Sequence, residues 1–260
     1  MHPSSLLDLL YPPACPLCQA PPDAPEALLC RACLNGLVPN GPPACSRCGI
    51  GLPGAYDARP CCGNCAAAPP AFDGAIAPWR YLGPARQAVR AFKYRGRWRL
   101  GRWLADAMAE HVRASVPLES IECVTPVPSH WIRARTRGLH PAGLLAQAVA
   151  RSLKKPCRLD LIRTRLRPPQ ARLGRRRRQM NVRGAFTCRP RSPAAPRSVL
   201  LVDDVLTTGA TANACAAALK AAGCERVLVA TAAHAGRGTP ARSGGASPAQ
   251  GAPRPGAAAG

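Results

Sequence analysis

An α/β protein with a parallel, Rossmann-type sheet, preceded by a small Cys-rich module and followed by a disordered tail, is what the 260-residue sequence predicts. Three observations carry that prediction. Residues 199–202 (VLLV) form an apolar run followed by a Thr/Gly loop, an alanine-rich helical stretch ending at Gly223 and a second apolar run at 226–232 (RVLVATA), which is the strand–helix–strand unit of parallel sheets. Nine of the fourteen cysteines precede residue 66, while Lys and Arg concentrate after residue 80. From Ala235 onward Gly, Pro, Ala, Ser and Arg dominate with almost no apolar bulk, the composition of a chain that cannot build a core. The expected boundaries are 1–68, 69–235 and 236–260.

The formal net charge of +23 favours polyanionic partners, nucleic acid first, although an Arg-rich coding bias can supply part of it. The opening MHPSSLLDLLYPP has too short an apolar run and no basic flank for a signal peptide, and no stretch reaches the length of a membrane span. A cytoplasmic protein is expected.

In the first module, Cys15-x-x-Cys18 and Cys30-x-x-Cys33 are separated by eleven residues, and Cys45-x-x-Cys48 and Cys62-x-x-Cys65 by thirteen. Each CxxC turn sets two thiolates on one side of a metal, and two turns complete a tetrahedral shell, so these are two zinc-ribbon spacings in series. A reducing cytosol favours structural Zn²⁺ over disulfides. With few large apolar residues here, metal substitutes for a core, since a structural zinc supplies about 10–16 kcal/mol. Spacing leaves open whether the turns pair in sequence or cross over, and whether Cys61 replaces Cys62. The module reads equally as a rigid appendage or as a nucleic-acid contact.

In the main domain, residues 72–82 read as a strand that Pro78 confines to a sheet edge. Gly83-Pro84 opens a helix with Val89, Phe92 and Lys93, broken at Tyr94-Arg95-Gly96. Leu100, Trp103, Leu104, Ala107, Met108, His111 and Val112 keep the spacing of an amphipathic helix, with His111 at its rim. Residues 121–127 read as a strand whose carboxyl end carries Pro126-Val127-Pro128-Ser129-His130. Arg133, Arg135 and Arg137 follow. Leu144, Leu145, Ala148 and Val149 mark another helix, and 159–162 a short strand.

Between Arg158 and Arg191 there are twelve Arg and one Asp, with Arg175, Arg176, Arg177 and Arg178 unbroken. That run reads as a solvated face, as a mobile lid over an anionic ligand, or as a surface for the phosphates of single-stranded DNA.

Asp203 and Asp204 are the sequence's only adjacent acidic pair, and they fall where strand 199–202 gives way to the loop. Gly209 permits a tight turn, Thr207, Thr208 and Thr211 offer hydroxyls, and the helix starting near Thr211 adds its positive end, so the loop suits a phosphate. Two carboxylates repel phosphate and suit hydroxyls or a cation. A sugar phosphate satisfies both halves.

Residues 199–211, VLLVDDVLTTGAT, resemble the thirteen-residue signature by which type I phosphoribosyltransferases bind 5-phosphoribosyl-1-pyrophosphate (PRPP). The resemblance implies that Asp203 and Asp204 hold the ribose hydroxyls and act at the catalytic centre. By the same likeness Thr207, Thr208, Gly209, Ala210 and Thr211 hold the 5′-phosphate, Ser129 helps cradle the pyrophosphate, and Mg²⁺ accompanies PRPP. Together with the paired CxxC turns, Phe92-Lys93-Tyr94, Pro126-Val127-Pro128, Arg137-Gly138, Arg165 with Gln170, and residues 181–186 (NVRGAF), the chain over about residues 6–234 resembles the ComF family. That family joins a Cys-rich zinc domain to a phosphoribosyltransferase-like domain. The likeness implies a role in natural transformation or DNA utilisation, with single-stranded DNA handled in the cytoplasm and other competence proteins as partners; Arg175 to Arg178 of the charge run are then the candidate contacts for the strand. Its alternative is an active transferase moving ribose 5-phosphate from PRPP to an unknown acceptor. Leu139-His140-Pro141 departs from the Phe-Asn-Gln usual in the family.

Overall fold

The computed structural model describes residues 14–24, 26–54, 60–95, 97–128, 140–159, 161–163, 185–188 and 196–236. Two short helices, α1 (Arg31–Asn35) and α2 (Gly63–Ala67), belong to the Cys-rich module. The main domain then runs β1 (Gly74–Ile76), β2 (Trp79–Arg80), α3 (Gly83–Arg95), α4 (Trp98–Ser115), β3 (Cys123–Pro126), α5 (Pro141–Leu153), β4 (Leu161–Arg163), β5 (Phe186–Cys188), β6 (Ser198–Leu206), α6 (Ala210–Ala221) and β7 (Arg226–His234).

The sheet order is β1-β7-β6-β3, all neighbours parallel, with β2 also paired to β7. β1 and β2 are the two halves of the edge strand expected at 72–82, interrupted at Pro78, which has no N–H to give a ladder. β6 and β7 form the centre, and their residues are buried on both sides, as parallel strands covered by helices must be. Period-two alternation divides β6 between two cores. Leu200 and Val202 join Leu104, Met108, Leu145 and Val149 under α4 and α5. Val199 and Leu201 join Cys215, Ala216 and Leu219 of α6, with Phe186 of β5.

Two differences from the sequence-based expectations concern β6 and β5. β6 does not stop at Val202. It stays paired with β7 through Leu206↔His234, so Asp203 and Asp204 lie inside the strand rather than after it, and alternation sends them to opposite faces. Pairing with β3 ends earlier, at Pro126↔Val202, which opens a crevice beside the acids. β5, unforeseen, pairs antiparallel with β4, with Arg163 stacked over the Phe186 ring at 5.6 Å from its centroid.

The Cys-rich module is built onto the sheet. Arg80 N–H donates to Val38 C=O (2.8 Å) and Asn40 N–H to Pro78 C=O (2.9 Å), so residues 38–40 cover the outer side of β2. Asn40 is buried and fully used: its amide donates to Gly49 C=O (2.7 Å) and Ala77 C=O (3.3 Å) and accepts from Gly51 N–H (2.9 Å). Gly49, at φ +68°, lies so close to β1 that a Cβ there would stand 2.0 Å from the Ala75 carbonyl oxygen. On the other side, the Arg97 guanidinium at the start of α4 donates to Pro16 C=O (2.9 Å). Among the described residues no helix is long and apolar enough to cross a membrane.

Candidate phosphosugar site and metal centres

The cysteines pair in sequence. The Sγ atoms of Cys15, Cys18, Cys30 and Cys33 lie within 4.8 Å of one another, and so do those of Cys45, Cys48, Cys62 and Cys65. Four thiolates at Zn–S distances of about 2.3 Å stand about 3.8 Å apart in a tetrahedron. Cys18–Cys30 at 3.5 Å and Cys48–Cys62 at 3.7 Å fit that shell. Cys62 rather than Cys61 enters the second cluster, because the Cys61 thiol points instead toward the Cys62 carbonyl at 3.7 Å.

At the carboxyl end of β6 a cavity of about 260 Å³ is lined by Lys93, Tyr94, Asp203, Asp204, Thr207 and Thr211, among others. The strand holds the acids, and the loop 207–209 turns the chain into α6. Gly209 occupies the left-handed region at φ +73° as the residue before the helix, a conformation costly for any residue with a Cβ. No side chain caps α6, and the amides of Thr207, Thr208, Gly209 and Thr211 donate to no other described residue. Ala210 N–H has only a long contact to the Thr208 hydroxyl, 3.4 Å. The first turn of a twelve-residue helix thus faces the cavity with its donors unspent, a geometry that suits an anion. Asn213 fixes this turn from behind, its N–H donating to Gly209 C=O and its side-chain oxygen accepting from Ala71 N–H.

The two carboxylates differ. Asp204 is buried and its Oδ2 meets Lys93 Nζ of α3 at 2.5 Å. Burial works to lower the Lys93 ammonium, and the Asp204 carboxylate overrides it, so the lysine is held above its ordinary value. Asp203 has no such partner within ion-pair reach among the described residues; its Oδ1 accepts the Asp204 N–H at 2.8 Å. Burial first, and the Asp204 charge second, push its carboxyl up to about 7, against the opposing pull of that N–H and of Lys93. One acid is therefore a charge-compensated acceptor and the other is poised to hold or release a proton near neutrality. Such a pair suits adjacent hydroxyls.

Lys93 is the cavity residue to which the sequence reading gave no role: it appeared there in a helix and in Phe92-Lys93-Tyr94, and only the fold brings it to Asp204. Tyr81 and Tyr94 also line the cavity. Ser129, and Arg175 to Arg178, lie outside the described residues, as do Arg133, Arg135, Arg137 and residues 237–260 of the expected tail. Of the departure Leu139-His140-Pro141, Pro141 is the first residue of α5, where its missing N–H costs nothing. His140 precedes it, with burial holding its imidazole below the ordinary value.

Comparison with known proteins agrees with this architecture. A double zinc ribbon domain is matched over residues 6–67 and a phosphoribosyl transferase domain over residues 135–248. Competence protein F of Haemophilus influenzae is 31% identical over 206 residues, 77% of this chain and 88% of that protein. The chain belongs to the competence protein F family. DNA utilization protein YhgH of Escherichia coli K12, another relative, is 29% identical over 209 residues, 78% of this chain and 88% of that protein. Among solved structures, the Bacillus subtilis glutamine PRPP amidotransferase complexed with ADP and GMP is similar at 24% identity. That match covers 50% of this chain and 25% of that one at a TM-score of 0.34. For this member of the competence protein F family the parallel phosphoribosyltransferase-like domain and the two Cys₄ clusters support structural zinc and a phosphosugar-type site.

Proposed function

We propose that this protein binds PRPP, with Mg²⁺, and serves natural transformation or DNA utilisation by handling single-stranded DNA in the cytoplasm, alongside other competence proteins. The observation that carries the phosphosugar half is the shared cavity: Asp203 and Asp204 line it together with the unspent amides of the α6 start. Asp203 and Asp204 hold the ribose hydroxyls, and Thr207, Thr208, Gly209, Ala210 and Thr211 take the 5′-phosphate. Ser129 belongs to the pyrophosphate cradle. Mg²⁺ suits this chemistry as an ion carried mainly by substrate phosphates, because Lys93 already neutralises Asp204 and leaves no all-protein cage. When bound, the ion spreads the charge of the departing pyrophosphate. The nucleic-acid half is supported by the names of the relatives, by the charge of +23 and by Arg175, Arg176, Arg177 and Arg178.

Calorimetric titration of PRPP with and without Mg²⁺, on the wild type and on Asp203→Asn/Asp204→Asn, tests the first half. Saturable binding that the double variant loses is expected, and equal binding by both proteins overturns the assignment. Pyrophosphate release from PRPP in the presence of pooled bases, abolished in the same variant, identifies a working transferase.

A further inference from the structure

Residues 83–105 carry seven Lys or Arg and no Asp or Glu. Within helices, four-residue spacing aligns Arg86, Arg90 and Tyr94 along one stripe of α3, and Trp98 and Arg102 along one stripe of α4. The two stripes meet where the helices join. There Tyr94 is 60% exposed and Trp98 47%. Elsewhere in the described fold large rings are put away: Phe72, Phe92 and Phe186 are buried, and Trp79 stacks on Trp103 with centroids 4.8 Å apart. Arg86, Arg90, Arg99 and Arg102 around the junction are exposed, and the nearest acid in sequence, Asp106, is bonded to Arg102 at 3.1 Å.

Two half-exposed rings beside exposed guanidinium groups, of which Arg86, Arg90 and Arg99 have no acidic partner among the described residues, match a ligand that is both flat and polyanionic. We propose that this α3–α4 elbow is a binding surface for single-stranded nucleic acid, with bases stacked on Tyr94 and Trp98 and phosphates held by Arg86, Arg90 and Arg99. An unpaired strand offers its base faces to aromatic side chains, whereas a duplex has them stacked on one another. An acidic peptide satisfies the arginines and leaves the rings unexplained. Tyr94 also lines the phosphosugar cavity, so a strand crossing the elbow passes the mouth of that site. The inference rests on the single-strand half of the proposed function and needs nothing from the PRPP half.

Fluorescence anisotropy of a labelled oligothymidylate, titrated with full-length zinc-loaded protein over a salt series, tests it. Tyr94→Ala/Trp98→Ala weakens binding by about tenfold or more, since stacking on one ring contributes that order of affinity. Arg86→Gln/Arg90→Gln reduces the log–log salt slope by about 0.7 for each phosphate released. Trp98→Phe keeps near wild-type affinity and loses part of the quenching of intrinsic fluorescence that the strand produces in the wild type. This last readout does not move if the ring is merely structural, and it stands in if the alanine variants fold poorly. Trp98→Ala, whose side chain is not part of the PRPP cavity, leaves PRPP calorimetry unchanged. Trp98-dependent strand binding in a protein that takes up no PRPP upholds the elbow and removes the phosphosugar reading. Undiminished binding by the ring variants, absence of Trp98-dependent quenching, or displacement by polyglutamate as effective as by oligothymidylate overturns the proposal.

Discussion

Replacing Lys93 with methionine removes the ammonium that sits 2.5 Å from Asp204 Oδ2 while keeping an unbranched apolar stem out to Cε. Removing one partner of a fully buried ion pair costs about 3–5 kcal/mol, and an exposed pair is worth about 0–1 kcal/mol. Here the carboxylate is the buried end, with its side chain 9% exposed, and the lysine side chain at 36% is open to water. Solvent screening at the lysine therefore brings the expected loss to about 2 kcal/mol, roughly a thirtyfold fall in the ratio of folded to unfolded protein. The second carboxylate adds a signature: Lys93 draws the Asp203 carboxyl down, so its removal sends that group further up. Urea unfolding at neutral pH measures the effect, with a lower midpoint and an unchanged slope. Lys93→Met/Asp204→Asn, which removes both charges, is expected to be more stable than the sum of the single variants by about 1–2 kcal/mol. A Lys93→Met midpoint equal to wild type, or strict additivity in the cycle, refutes the electrostatic account of this site.

Two further predictions follow from the acids and the thiols. The Asp203 carboxyl is raised from 3.8 to about 7, so between those values the folded state keeps a proton that the unfolded chain has shed; wild-type stability falls as pH rises through that window, and the loss is complete above it. Asp203→Asn removes this dependence, so its thermal midpoint gains on the wild type from about pH 4 to pH 7; parallel curves contradict the burial assigned to Asp203. For the metal centres, elemental analysis of purified protein is expected to find two zinc ions in wild type and in Cys61→Ser, and fewer than two in Cys62→Ser; the reverse result exchanges the roles of these neighbours.

What was legible in the chain was local. The run from Val199 to Gly223 announces strand, phosphate loop and helix within a few residues of one another, and each signal comes from adjacent side chains. Pro78 marked the edge strand by the N–H it lacks. Helices α4 and α5 followed from apolar residues repeated every third and fourth position. By contrast, β5 is three residues long beside a dense Arg run, too short for a period of two to register. The extent of β6 was set by its partner: Asp203 and Asp204 are poor strand formers, and only pairing with β7 keeps them extended. Lys93 is separated from Asp204 by more than a hundred residues, and no spacing rule links them. Whether the cysteine turns paired in sequence or crossed over was likewise a question of distance in space, answered by the sulfur positions.

The seating of residues 38–40 along β2 has a bearing on how the protein fails. A parallel sheet ends in a row of donors and acceptors that will accept any extended chain, and here the knuckle between the two thiolate clusters supplies it. Oxidants that strip the clusters would loosen this selvedge and uncover the rim at Pro78 and Arg80, inviting a neighbouring copy to add its own strand. Damage to a remote sulfur is thereby expected to surface as clumping and precipitation rather than as a graded decline in ligand affinity.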